Sequence, residues 1–262
     1  MNRYLVGCAA LVLSGSVLAQ NVYDSKFGIG GGVFFPSADT SLRVDASNSD
    51  IGTGIDLEGD LNFDKDDTVG RLTAFWRPAQ KHRIFVDYYA IDRSSRTTLK
   101  GDLEIDGEIY PIDTVVNASF DTTVVPIFYE YSIYQTPRTE VGIGGGVHWL
   151  DLEFAINATG TTLNEFSSVS GPLPLIGFSV DHMMTDQWMF TGSLQAFSAN
   201  VGDYDGSIVS AAIGVEYWFN RNFSLGVGYD YFDLDVDLDK QAWTGNVNYG
   251  YDGANLRIVA RF

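Results

Sequence analysis

This 262-residue chain is poor in cysteine, with one, in histidine, with three, and in basic residues, with sixteen. Against those 16 Lys and Arg stand 34 Asp and Glu, for a formal charge of −18. A surplus of acid repels phosphate backbones, which argues against a nucleic-acid partner. Long apolar runs are missing as well. Mean hydropathy is −0.01, and no segment past the N-terminus approaches the roughly 20 apolar residues of a helical span. A polytopic helical membrane protein is therefore excluded. The aromatic content of 14% equally excludes a disordered acidic tail.

The first nineteen residues, MNRYLVGCAALVLSGSVLA, combine basic Arg3, an apolar run Leu5–Leu13 and the small-x-small end Val17-Leu18-Ala19. That is the layout of a cleaved signal peptide over residues 1–19, leaving residues 20–262 as one domain. Leu5-Val6-Gly7-Cys8 looks like a lipobox, but Cys8 lies inside the apolar region and not after it, which argues against lipidation. Cleavage removes Arg3 and the single Cys, taking the charge from −18 to −19. An exported chain without thiols must hold itself together without disulfides.

What the chain has in abundance is alternation. Apolar and polar or small residues alternate over 27–35, 71–77, 83–90, 125–133, 141–149, 176–180, 188–196, 209–219, 223–231 and 256–262, ten strand candidates in all. The period of two belongs to a strand with one apolar face. Short links at Pro78–Lys81, Gln135–Arg138, Thr185–Gln187 and Asn220–Asn222 alternate with long acidic stretches at Pro36–Thr68, Arg93–Thr123, Asn157–Gly171, Asn200–Gly206 and Leu234–Asp252. Tight turns at one end and large loops at the other predict an all-β, closed antiparallel transmembrane barrel with periplasmic turns and acidic outer loops. Ten strands are expected. Eight or twelve are the alternatives, twelve if a hairpin over Leu103–Ile112 joins the sheet.

A secreted β-sandwich would also alternate. Its polar face, however, would be mixed and rich in Lys. Here the predicted inward positions hold Arg71, Arg77, Arg83, Arg257 and Arg261 against Asp87, Glu130, Asp181, Glu216 and Asp230, five of each sign in an otherwise acidic chain. Such balance suits a closed lumen, where charge away from bulk water must be paired. Inward Phe34, Phe75, Phe85 and Phe128 would narrow it further. Trp76, Tyr131, Trp149, Trp188, Tyr217, Trp218, Phe219, Tyr229 and Tyr231 gather near strand ends, as interfacial girdles do. After Trp149 and after Tyr231 the apolar parity switches, which reads as a bulge or as a strand end above the membrane.

The chain ends Leu256-x-Ile258-x-Ala260-x-Phe262, which resembles the C-terminal signal by which outer-membrane barrels are recognised for insertion. With the leader and the loop asymmetry, the mature chain resembles the small outer-membrane barrel superfamily that includes OmpA, OmpX and OmpW. That resemblance implies residence in the bacterial outer membrane, contact with its lipids and lipopolysaccharide, and recognition of the C-terminal strand by the barrel-assembly machinery.

Sites of chemistry are sparse. Gly-Ile-Gly-Gly-Gly-Val occurs at 28–33 and at 142–147, but no GxGxxG follows and no helix starts there, so the glycines read as room for inward side chains. Asp102, Glu104, Asp106, Gly107 and Asp113 mimic a calcium loop, but Leu103, Ile105, Ile109 and Ile112 suggest a hairpin instead. Asp233, Asp235, Asp237 and Asp239 put four acids on one strand face. They are weak metal candidates, as is the Asp60, Asp64, Asp66 and Asp67 cluster, and a solvated acidic rim is the plainer reading. No metal or cofactor is expected. His148 with Asp151 or Glu153 is the one constellation an outer-membrane lipid-modifying enzyme could use, and no Ser is placed beside it. The expected function is a barrel with a largely plugged, charge-paired lumen and a structural or surface-interaction role through acidic loops, not an enzyme. The alternative is a narrow porin-like channel for small apolar or cationic solutes, which a negative rim would concentrate.

Overall fold

A computed structural model describes residues 25–45, 54–105, 108–160, 162–201, 204–240 and 243–262. The leader at 1–19 lies outside the described residues, as do Asp106 and Gly107. Thirteen strands occur among them. Ten form the wall: β1 (Phe27–Asp45), β3 (Val69–Ala79), β4 (His82–Thr98), β7 (Val115–Gln135), β8 (Thr139–Ala158), β9 (Asn164–Met183), β10 (Trp188–Val201), β11 (Tyr204–Trp218), β12 (Phe223–Lys240) and β13 (Trp243–Arg261). Each pairs antiparallel with its neighbours, and β13 returns to β1 from Gly28↔Arg261 to Asp45↔Thr244, closing the cylinder. The short β2 (Gly54–Asp56) adds to β1, and β5 (Leu103–Ile105) with β6 (Glu108–Tyr110) makes a separate hairpin.

Outside, the barrel carries an apolar belt. Ile29, Leu72, Ile127, Ile143, Ile213 and Ile258 are exposed on it, and each occupies the odd or even position that the lumen does not use. Aromatic side chains rim the belt at the turn end, among them Trp76, Tyr131, Trp188, Tyr217 and Phe219. Trp218 does not belong with them. It points inward, is buried with Met183 and Met189, and lies 4.4 Å beneath the Arg261 guanidinium.

The long connections expected from the sequence are largely strand. β7 and β8 run 21 and 20 residues, about twice the 9–11 that cross a bilayer, so the wall continues above the membrane. No bulge accompanies the parity switch. β8 keeps one register with β9 from Thr139↔His182 to Asn157↔Asn164, and β12 keeps one with β13 through Asp233↔Gly250. What changes is the solvent. In the belt, lipid lies outside and polar groups face the lumen; above it, water lies outside and Leu150, Leu152, Phe154, Ile156, Phe232 and Leu234 turn into an apolar core. The even positions stay inward throughout, and their chemistry inverts with the medium.

β3 is short, and its ladder with β1 ends at Phe34↔Val69. Above it the slot between β1 and β4 is filled by residues 54–67. Backbone bonds from Ala38 N to Lys65 O and from Asp67 N to Pro36 O stitch that segment to β1, while Ser95 Oγ donates to Leu61 O across to β4 at 2.5 Å. Ile55, Leu57, Leu61 and Phe63 thereby enter the apolar core.

Candidate functional site in the barrel lumen

Alternation aims one set of side chains from every strand into the lumen, so the site is built by the sheet itself. At the turn end, Arg77 donates to both oxygens of Glu140 at 2.7 and 2.8 Å. Ser132 Oγ donates to Glu140 as well. Arg83 donates to Asp181 at 2.8 Å and to Glu130 at 2.8 Å, with Glu140 at 3.6 Å. Its guanidinium also covers the Phe85 ring at 4.3 Å.

On the far wall, Arg257 reaches Glu216 at 3.1 Å, and Arg261 approaches the other Glu216 oxygen at 3.5 Å. One layer up, Arg71 bridges Asp87 and Asp230, and Asn255 Nδ2 donates to Asp230 at 2.8 Å. All ten charged residues expected inside are thus on the lumen side of the wall. An eleventh, Glu140, was missed: the turn at Gln135–Arg138 appeared to end the inward row, yet β8 starts at Thr139 and sets Glu140 inward, 1% exposed. The layer therefore holds six carboxylates against five guanidinium groups. Higher still, Arg93 donates to Glu58 and to Thr40, each at 2.5 Å, a pair no strand pattern announced because Glu58 comes from the slot-filling segment.

Burying this many ions costs several kcal/mol each unless every one is paired and hydrogen-bonded. Each guanidinium here meets at least one carboxylate, which is the condition for keeping them ionised. Between the charged layer and the apolar core lies a cavity of about 280 Å³. His148, Phe232 and Tyr251 border it toward the outer end, and Arg83, Arg257 and Glu216 toward the turn end.

The remaining candidates separate. His148 is buried and stacked on Phe232 at 5.9 Å, whereas Asp151 and Glu153 occupy the opposite parity of β8, facing outward, so the expected constellation does not assemble. Asp235 and Asp237 accept from Asn246 Nδ2 at 3.1 and 2.9 Å on the outer surface of β12, with Asp233 on the same row. The Asp239 side chain lies outside what is described. Among the described residues no three His, Cys, Asp or Glu side chains converge as a metal site requires. Gly28, Gly30, Gly32, Gly142, Gly144 and Gly146 of the repeated hexapeptide face inward where the wall is tight: a Cβ on Gly142 would collide with the Glu130 carboxylate, and one on Gly28 with the Phe75 ring. Leu256, Ile258, Ala260 and Phe262 lie on the lipid-facing row of the closing strand, and Phe262 stacks near Phe27 at 5.5 Å.

A closed ten-stranded antiparallel cylinder, greasy outside and ion-paired within, has the fold of a small transmembrane β-barrel. One solved structure supports the fold. The outer-membrane protease OmpT of Escherichia coli superposes with a TM-score of 0.60 at 10% identity, covering 90% of this chain and 97% of that one. Lower superpositions are found with the Pseudomonas putida toluene transporter TodX (TM-score 0.35, 10% identity, 94% and 93% covered) and with Ail, the attachment invasion locus protein of Yersinia pestis (0.36, 10%, 88% and 99%). Likeness at such identities is likeness of fold. No protein-family model and no curated protein sequence matches the chain.

Proposed function

We propose that this protein is a barrel of the bacterial outer membrane whose lumen is largely plugged, and that it acts as a structural or surface-interaction protein through an acidic outer end. The observation that carries the reading is closure at two levels. Arg77, Arg83, Arg257 and Arg261 are tied to Glu140, Glu130, Asp181 and Glu216 across the turn end, while Ile55, Leu57, Leu61 and Phe63 fill the outer end from the side. Outer-leaflet lipid and lipopolysaccharide are the proposed surroundings of the belt, and the Leu256–Phe262 strand the proposed handle for the assembly machinery. Reconstitution into planar bilayers tests the plug: silence is expected, and stable single-channel steps would overturn it.

A second reading, a narrow path for small apolar or cationic solutes, draws on the 280 Å³ cavity and on the excess carboxylate around it. Catalysis has less support, since buried His148 stacks on Phe232 and no acid of its own strand shares its face. Lipid mass spectra that change on gene deletion, and are not restored by a His148→Ala copy, would revive that reading.

A further inference from the structure

Seven of the wall's neighbouring pairs hold their ladder for 14 pairs or more. The seam between β9 and β10 does not. It runs from Met189↔Met183 to Ala196↔Ile176, eight pairs, and stops, although both strands continue outward. Extended in the same register, Phe197 would face Leu175 and Ser198 would face Pro174.

The cause is written in Pro172-Leu173-Pro174. Both prolines keep their places opposite Trp149 and Val147 of β8, so the backbone nitrogens that lack a hydrogen are those that would have served β10. Two controls lie in the same wall. Pro126 of β7 interrupts the β4 ladder only between Val86↔Ile127 and Tyr89↔Val124, after which pairing resumes in register. Pro36 coincides with the end of the β1–β3 ladder, but residues 54–67 fill the slot there, with Ser37 bridged to Asp66. At β9–β10 the ladder ends at Ala196↔Ile176, while residues 164–174 stay in register with β8.

The side chains along the seam match an opening. Leu152, Phe154 and Ile156, on the closed wall, are buried, whereas Val169, Leu173 and Phe197 at the same inward positions are only partly so. The outer lip is lipid-facing: Ile176 is 67% exposed and Leu194 40%. Trp149, in register with Pro172, sits where an interfacial aromatic marks the headgroup level. Gln195, the inward residue next below Phe197, lines the lumen cavity. In a bilayer an open sheet edge must be covered or paired; the lower end of the gap, where Phe197 and Ser198 go unpaired beside Leu175 and Pro174, lies below the Trp149–Pro172 level, and there the available material is the hydrocarbon of the outer leaflet.

We infer that the unzipped seam between β9 and β10 is a lateral portal that admits an acyl chain of a surrounding bilayer lipid. The chain lies against Leu173 and Phe197, which are only partly buried and carry no charge, and its headgroup stays outside beside Trp149.

Photo-crosslinking tests this in the full barrel reconstituted into dioleoylphosphatidylcholine vesicles. p-Benzoylphenylalanine replaces Phe197 in one variant, outward Ile176 in a second and Ile156 of the closed wall in a third. Heat-modifiable mobility on gels establishes that each is folded. Lipid adducts, read by mass, are expected at 176 and 197 and not at 156. Adducts at 176 alone would overturn the portal. Restoring the two donors with Pro172→Thr and Pro174→Val supplies a second readout. If hydrogen exchange shows the β9–β10 ladder lengthened, the adduct at 197 should be lost while that at 176 stays; an adduct at 197 that survives the lengthened ladder would overturn the portal equally. Neither readout depends on conductance, so the fate of the plugged-lumen reading is decided separately.

Discussion

Arg77 and Glu140 meet inside the turn end of the barrel as a bidentate pair, 63 residues apart in sequence and both shielded from water. Removing one partner of a buried pair leaves the other charge uncompensated, at about 3–5 kcal/mol, whereas replacing both with apolar groups of similar volume is close to neutral. Glu140→Ala should therefore lower the urea stability of the micelle-embedded barrel by that amount. Arg77→Met combined with Glu140→Leu should recover most of it. Equal losses in the single and double variants would show that the pair contributes nothing specific.

The outer surface offers the opposite case. Asp121 stands directly between Asp92 and Glu153 on the neighbouring strands, above the belt. Partial burial, and then those two carboxylates, push its acid above the ordinary range. An acid that holds its proton more tightly when folded contributes stability below its unfolded pKa and loses it as pH rises through the raised value. At neutral pH, Asp121→Asn should stabilise by about 0.2–1 kcal/mol, the scale of a like-charge cross-strand contact. The advantage should fade as pH falls through the raised value and be gone below about 3.9, the ordinary aspartate value. Urea midpoints at two pH values decide it, and a destabilised Asn variant at neutral pH would contradict the account.

Glycine in the repeated hexapeptide can be probed at two positions of unlike surroundings. A Cβ on Gly144 would lie 1.9 Å from the Tyr129 carbonyl oxygen and 2.9 Å from Glu130 Cα. Neither is a side chain that can rotate away. Gly144→Ala should cost about 1–3 kcal/mol as overpacking. Gly31→Ala faces lipid, with Leu72 Cδ2 nearest at 3.6 Å, and should be close to neutral in the same unfolding assay.

The slot-filling segment gives a functional readout. Replacing residues 54–67 with a flexible Gly/Ser linker removes Leu57, Leu61 and Phe63 from the apolar core and Glu58 from Arg93. Conductance steps are then expected in planar bilayers where the intact protein is silent. Six carboxylates against five guanidinium groups below should make them prefer cations. Silence from the linker variant would mean that the charged layer closes the lumen unaided.

Much of this was legible before folding. Ten alternating segments became ten wall strands because lipid on one side and a polar lumen on the other impose the period of two directly on the chain. The ten inward charges were readable for the same reason. Glu140 escaped because it sits one residue inside a strand whose start was drawn too late, and Trp218 was misplaced because it is an inward residue among outward aromatics. His148 seemed close to Asp151 and Glu153 only along the chain: a strand sends odd and even residues to opposite faces.

Alternation, taken with the short and long links and the balanced inward charges, pointed to a closed membrane sheet of ten crossings, since each crossing must present an apolar face to hydrocarbon. Tertiary structure alone decided which charge meets which, because partners such as Arg71 and Asp230 lie 159 residues apart and are brought together only by closure of the cylinder. It also decided that one proline-started gap in the wall is filled by residues 54–67 while the other, between β9 and β10, keeps no strand partner in its ladder. A missing N–H is a local property of the chain; what covers the carbonyls it leaves behind depends on which other segment can reach them.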